Sequence, residues 1–200
     1  MAGDRMEGIG WISVGEARTV MDSPFFSLVA EMVLLPEGTR STNYRYGDER
    51  EGRPPLVAVL AICRNARGEI ALSSQWSHPL RRVHGEFPAG GVRENEPLEV
   101  AVLRELREET GIVGTNLRWI GHLHNDVRRS TLITYVCVVD GFDLTTACPE
   151  STEDAVWEWV TEASLDARVR SGRLTNASLL AAWCLYRLAA EDLPAGERAG

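Results

Sequence analysis

The chain has 200 residues, 44% of them apolar, which is enough to bury one core. Its formal charge of −8 excludes a general nucleic-acid binder, because affinity for a phosphate backbone rests on a face of clustered Lys and Arg. Met1 to Gly15 lacks the apolar core of a secretory signal and no later stretch is long and apolar enough to span a bilayer, so a soluble cytoplasmic protein with no membrane and no nucleic-acid partner is expected.

Strand-like text comes first in the chain. Phe25 to Leu35 and Leu56 to Cys63 are rich in β-branched and apolar residues, bounded by Pro and Gly. Pro36 to Gly38 and Tyr46 to Pro55 are turn-rich, polar and charged, which predicts a hairpin with a mobile link. Gly68 separates Ala61-Ile62-Cys63 from Glu69 to Gln75 as a second hairpin would. From Pro97 to Glu109 the spacing turns helical, with Pro97 suited to the first helical position, Asn95 or Glu96 as a cap, and Gly111 as a left-handed end. Leu98, Ala101, Val102 and Leu106 give that helix an apolar flank.

Strands return at Leu117 to His122, Leu132 to Val139 and Ala155 to Val160, where the alternation sets Trp157 and Trp159 on one face. Ala163 to Val169 and Asn176 to Ala190 have helical spacing, with Thr175 or Asn176 as the cap of the second. The architecture is therefore α+β, an α/β/α sandwich in which helices cover a mixed sheet. Cys63, Cys137, Cys148 and Cys184 show no paired metal or redox spacing and read as buried free thiols.

Glu105, Glu108 and Glu109 stand three and four positions apart, so a helix projects them from one side. Like charges at such spacing cost a helix about 0.2 to 0.5 kcal/mol per pair. Alone, the group is an ordinary solvated face; with a partner, a hard dication is the natural one, since magnesium takes carboxylate oxygens and binds substrate phosphates at the same time. The doublets Arg81-Arg82 and Arg128-Arg129 offer local positive charge for an anionic substrate against the acidic whole. His78, His84, His122 and His124 have no metal-protease spacing and read as structural or surface residues, although alternation sets His122 and His124 on one side of their strand.

The surrounding spacing is specific. Gly90, Glu96 and the run Arg104-Glu105-Leu106-Arg107-Glu108-Glu109-Thr110-Gly111-Ile112 fill every defined position of the Nudix box, so the chain resembles the Nudix hydrolases. That resemblance implies a Nudix fold over residues 55–200 and assigns Glu105, Glu108 and Glu109, with the carbonyl of Ala89, to a bound magnesium or manganese ion. It makes the Glu96 and Arg104 pair a brace between loop and helix, and implies attack of a metal-activated water on a diphosphate phosphorus.

Gln75-Trp76-Ser77-His78-Pro79 and Glu86-Phe87-Pro88-Ala89-Gly90 resemble the ADP-ribose pyrophosphatase branch. On that branch ADP-ribose gives AMP and ribose 5-phosphate, and residues 1–54 form an N-terminal antiparallel β segment exchanged in a homodimer. Gln75, Trp76, Arg81, Arg82, Glu86, Arg128 and Arg129 are the implied substrate contacts. Two places depart from the branch pattern: Ser77 stands where an Arg is usual, and the loop His124 to Ser130 lacks the usual Pro and Glu. The general base is accordingly open among Asp126, Glu150, Glu153 and a box glutamate. NADH, nucleotide sugars and oxidised nucleoside triphosphates are alternative substrates, and a non-catalytic nucleotide-binding regulatory module is the alternative in kind.

Overall fold

The computed structural model describes residues 12–14, 18–22, 27–34, 38, 40–48, 56–144 and 156–191. Contacts divide the chain into two units, one of residues 1–56 with 126–132, the other of 57–125 with 133–200.

The first unit holds an antiparallel sheet of β1 (Ile12–Ser13), β2 (Arg18–Asp22), β3 (Ser27–Leu34) and β4 (Arg40–Asp48). The central strand is β3, flanked by β4 along one edge and by β1 and β2 in succession along the other. It buries Ser27, Val29, Ala30 and Val33. Tyr46 to Asp48, expected as part of a turn, instead belong to β4: Tyr46 pairs with Val29, and pairing along the half-buried β3 outweighs the turn-forming composition of Gly47 and Asp48. Residues 49–55 and the ends of the Phe25 to Leu35 segment lie outside the described residues.

The second unit carries β5 (Val57–Arg64), β6 (Ile70–Ser77), β7 (Arg82–Glu86), β8 (Ala89–Gly91), α1 (Leu98–Thr110), β9 (Ile112–His124), β10 (Ile133–Leu144), β11 (Val156–Val160), α2 (Glu162–Arg170) and α3 (Ala177–Glu191). Its mixed sheet runs β11-β6-β5-β10-β9, with β5 and β10 parallel. Both faces of the central strands are covered, as parallel pairing requires. Val59, Ala61, Cys63, Cys137 and Val139 pack against Ala101, Val102 and Leu106 of α1. On the other face Leu60, Ile62, Val136 and Val138 pack with Leu165 of α2 and Leu179, Ala182 and Trp183 of α3. The period of two along β5 thus serves both cores, and the α/β/α sandwich follows from it.

Between β5 and β6 the sheet forks. The two strands pair only at Arg64 and Ile70; beyond that point β6 pairs with β7 and β5 with β8. The chain enters the fork as β7, turns at Phe87-Pro88, and leaves as β8. Phe87 is fully buried at the apex, its ring 6.4 Å from that of Trp183, and the Pro88 carbonyl accepts from the Ala61 amide.

Helix ends lie within one residue of those expected, but neither Asn95 nor Glu96 caps α1. Pro97 is the N-cap of α1, in extended conformation and without a side-chain cap, so the helix begins one residue later than expected. Gly111 ends it at φ 75°, where its amide donates to the Arg107 carbonyl. Thr161 caps α2 and Asn176 Oδ1 accepts from the Ser178 and Leu179 amides ahead of α3. Burial pushes the thiols of Cys63 and Cys137 up to about 12, which leaves them inert, whereas Cys184 is exposed and Cys148 lies outside the described residues. No helix among the described residues is long and apolar enough to cross a membrane.

Phe87→Ala empties the apex of the fork and is expected to cost about 3–5 kcal/mol. Urea unfolding measures this as a lower midpoint with an unchanged slope.

Candidate active site

The box begins in β8 and ends after α1. Arg104, at the middle of α1, spends all five guanidinium N–H groups. Nε and Nη2 donate to the two Glu96 oxygens at 2.8 and 2.9 Å, a bidentate pair, and Nη2 also donates to the Gly91 carbonyl at 3.0 Å. Nη1 donates to Glu105 Oε1 at 2.7 Å and Glu108 Oε2 at 3.0 Å. Side chains of Arg104 and Glu96 are only 11% and 10% exposed, so this is a buried network rather than a surface pair. The Glu96 carboxyl is held down to about 2, chiefly by its bond to Arg104, and also accepts from the Arg93 amide at 2.9 Å. The five-residue gap between Gly90 and Glu96 is thereby folded back onto the helix.

Glu105 is itself buried, and a Cβ on Gly90 would fall on its carboxylate. Glycine at this box position makes the room in which that carboxylate sits. Glu108 also meets Arg93, at 3.8 Å. Glu109 Oε1 accepts from the Ala89 amide at 3.2 Å, joining the end of α1 to the first residue of β8. The three glutamates therefore line one side of α1, as their spacing predicts, with Arg104 meeting Glu105 and Glu108 and the Ala89 amide meeting Glu109. Among the described residues no three acidic, His or Cys side chains surround one ion-sized position. The donors themselves fit a hard dication: they are carboxylate oxygens, drawn against a glycine-lined loop.

Register places the remaining residues. Paired residues share a face, so Gln75, His84, Ser73, Glu86 and Trp157 lie on the α1 side of the sheet, the side on which Glu105 covers Gly90. His84 Nδ1 lies 3.0 Å from the Gln75 carbonyl and its Nε2 3.1 Å from Glu86 Oε2. Trp76 pairs with Val83 on the opposite face and is exposed. Arg81 sits at φ 54°, beside His78 Nδ1 at 3.1 Å, while Arg82 donates to Thr175 at 3.1 Å. Arg128 and Arg129 fall in segment 126–132, grouped with the first unit, where Asp126 Oδ1 accepts from the Arg128 amide. Glu150 and Glu153 lie outside the described residues.

His122 and His124 are exposed and share one side of β9, their rings 6.3 Å apart. Trp157 and Trp159 share a face as expected and pack on the α1 core, with Phe142 stacked on Trp159. Ser73, which the sequence did not single out, is fully buried opposite Glu86, its hydroxyl without a hydrogen-bond partner among the described residues, and His84, read as structural or surface, lies beside Glu86. Reading β7 as a strand would have set His84 and Glu86 on one face.

Comparison with known proteins gives the family. A family model described as the NUDIX domain matches residues 54–182. ADP-ribose pyrophosphatase from Bacillus subtilis (strain 168) is 31% identical over 156 residues, 76% of this chain and 80% of that protein. The methanol dehydrogenase activator of Bacillus methanolicus is 33% identical over 110 residues, 52% of this chain and 56% of its own. A solved ADP compounds hydrolase shares the fold, with a TM-score of 0.77 at 17% identity over 92% of this chain and 94% of the other. The chain belongs to the Nudix family and is a Nudix pyrophosphohydrolase.

The Glu96 pair has a pH signature. Its carboxyl is lowered in the folded state, so the stability it contributes is complete above the ordinary value of 4.5 and is lost as pH falls toward about 2. Glu96→Gln is expected to flatten the acid limb of the stability profile within that window, as measured by thermal unfolding across a pH series.

Proposed function

We propose that this enzyme hydrolyses the diphosphate of ADP-ribose to AMP and ribose 5-phosphate, using magnesium or manganese. One observation carries the reading: every defined box position is filled, and Arg104 and Gly90 hold the box carboxylates against the β8 loop. Likeness to the Bacillus subtilis ADP-ribose pyrophosphatase over most of both chains supports the choice of substrate.

In this reading Glu105, Glu108 and Glu109, with the Ala89 carbonyl, hold the dication. When bound, the ion neutralises phosphoryl charge and makes water a better nucleophile. The chain's own part is positioning. Arg104 keeps two carboxylates from repelling each other, Glu96 fixes Arg104, and Glu109 ties the end of the helix to the loop. Gln75 and Glu86 contact the substrate from the same side of the sheet, and Arg81 and Arg82 supply positive charge at the β6–β7 hairpin. The water is activated within the box or by a carboxylate outside it.

Residues 1–54 are proposed as a β segment exchanged in a homodimer; light scattering is expected to give twice the chain mass of 22.1 kDa, and a monomer at working concentration contradicts it. Glu109→Gln keeps size and helix compatibility but removes a charge, so turnover of ADP-ribose is expected to fall by about a hundredfold or more with the fold intact. Glu99→Gln, on the exposed first turn of the same helix, is the control and should change little, since an amide oxygen still accepts from Trp119. Chelation of all divalent metal should abolish turnover. Near-normal activity of Glu109→Gln at limiting metal removes the box from the reaction.

A further inference from the structure

We infer that Ser73 is a positioning residue, whose buried hydroxyl steadies the Glu86 carboxylate through one bridging water on the α1 side of the sheet; this rests on the reading of Glu86 as a substrate contact. Among the described residues, Ser73 Oγ is the only buried side-chain nitrogen or oxygen without a hydrogen-bond partner. A hydroxyl has one donor and two acceptor positions, and an interior of low dielectric penalises leaving all of them empty. Folded proteins keep few such groups, and an ordered water or a functional role accounts for those they keep. The neighbourhood gives serine no other reason to be there. Ala71, the preceding residue on the same face of β6, is fully buried in the α1 core, and an apolar side chain at 73 would continue that core.

Register decides what the hydroxyl can reach. Ser73 is paired with Glu86 of β7 on one side and Trp157 of β11 on the other. Directly paired side chains leave the backbone with Cβ atoms about 4.5–5.5 Å apart, a span across which one water joins two polar groups that do not bond directly. Trp157 offers a donor only and packs edge-on against Trp159 in the α1 core. Glu86 is the better partner, because a hydrogen bond to a charged acceptor is the stronger one. Among the described residues its carboxylate meets only His84, at Oε2, and its side chain is 25% exposed. Held by one oxygen, the group can still swing about that contact. A water from Ser73 on Oε1 fixes its plane, and a carboxylate with about four acceptor positions keeps room for substrate.

Two measurements on the full chain test this. The first is a urea-unfolding cycle. Ser73→Ala should lower the midpoint with unchanged slope while Glu86 is present, and the loss should disappear in the Glu86→Ala background. A midpoint unmoved or raised by Ser73→Ala, or equal losses in both backgrounds, overturns the link between the two residues. The second is steady-state hydrolysis of ADP-ribose with magnesium. Ser73→Ala should raise KM about fivefold and leave kcat within about twofold, since it loosens a binding contact, and should change KM no further once Glu86 is Ala. An unaltered KM, or a rise that persists without Glu86, overturns the positioning role. If the unmodified enzyme leaves ADP-ribose intact, the substrate reading fails by itself, and the unfolding cycle still decides whether Ser73 acts on Glu86.

Discussion

The Arg104 guanidinium is the interaction on which the box depends. Four groups would otherwise be incompatible: the carboxylates of Glu96, Glu105 and Glu108, brought within one helical turn or folded onto it, and the Gly91 carbonyl. A planar cation with five fixed donors meets all of them, which the point charge of a Lys ammonium would not. Removing it would leave buried carboxylates uncompensated, a far larger penalty than the loss of a surface pair. The same network closes the loop onto the helix, so that Gly90 comes beneath Glu105 and Ala89 beneath Glu109.

The sheet provides the platform. Its parallel β5 and β10 are covered on both faces, and this rigid pair anchors β8 through Val59 and Leu60. The fork between β5 and β6 then brings two short strands onto one side. The first, β7, carries Glu86 and His84; the second carries Ala89 and Gly90. A buried Phe87 at the apex fixes the angle between them, so the substrate-facing and metal-facing parts of the proposed site are set by a single apolar anchor. The proposed site is thus built on strand register, one helix face and the loop that Glu96 folds back onto that helix.

How much of this could be read from the sequence follows from the range of each signal. The apolar stripe of α1, its Gly111 end, and the doubly buried β5 and β10 are local patterns and stand as read. Strand β9 runs to Ile112 because Gly114 and Asn116, weak strand formers, pair across to Phe142 and Asp140. Strands β7 and β8, five and three residues long, exist because of their partners and leave no composition signal. Side-chain spacing placed the three glutamates on one side of a helix but could not say that Arg104 would draw two of them while Ala89 drew the third. Trp76 shows the same limit: its neighbour Gln75 is on the α1 side of the sheet and register sends the tryptophan to the other.

In the proposed reaction this chain directs water to a diphosphate phosphorus. Turnover of ADP-ribose with magnesium in water enriched in oxygen-18, followed by mass spectrometry of the products, tests it most directly. The expected products are AMP and ribose 5-phosphate, with one labelled oxygen on the phosphate of one product and none in the protein. Products with no label on either phosphate, or label left in the protein after a single turnover, would contradict it; the anomeric oxygen of the sugar exchanges with water by itself and is left out of the comparison.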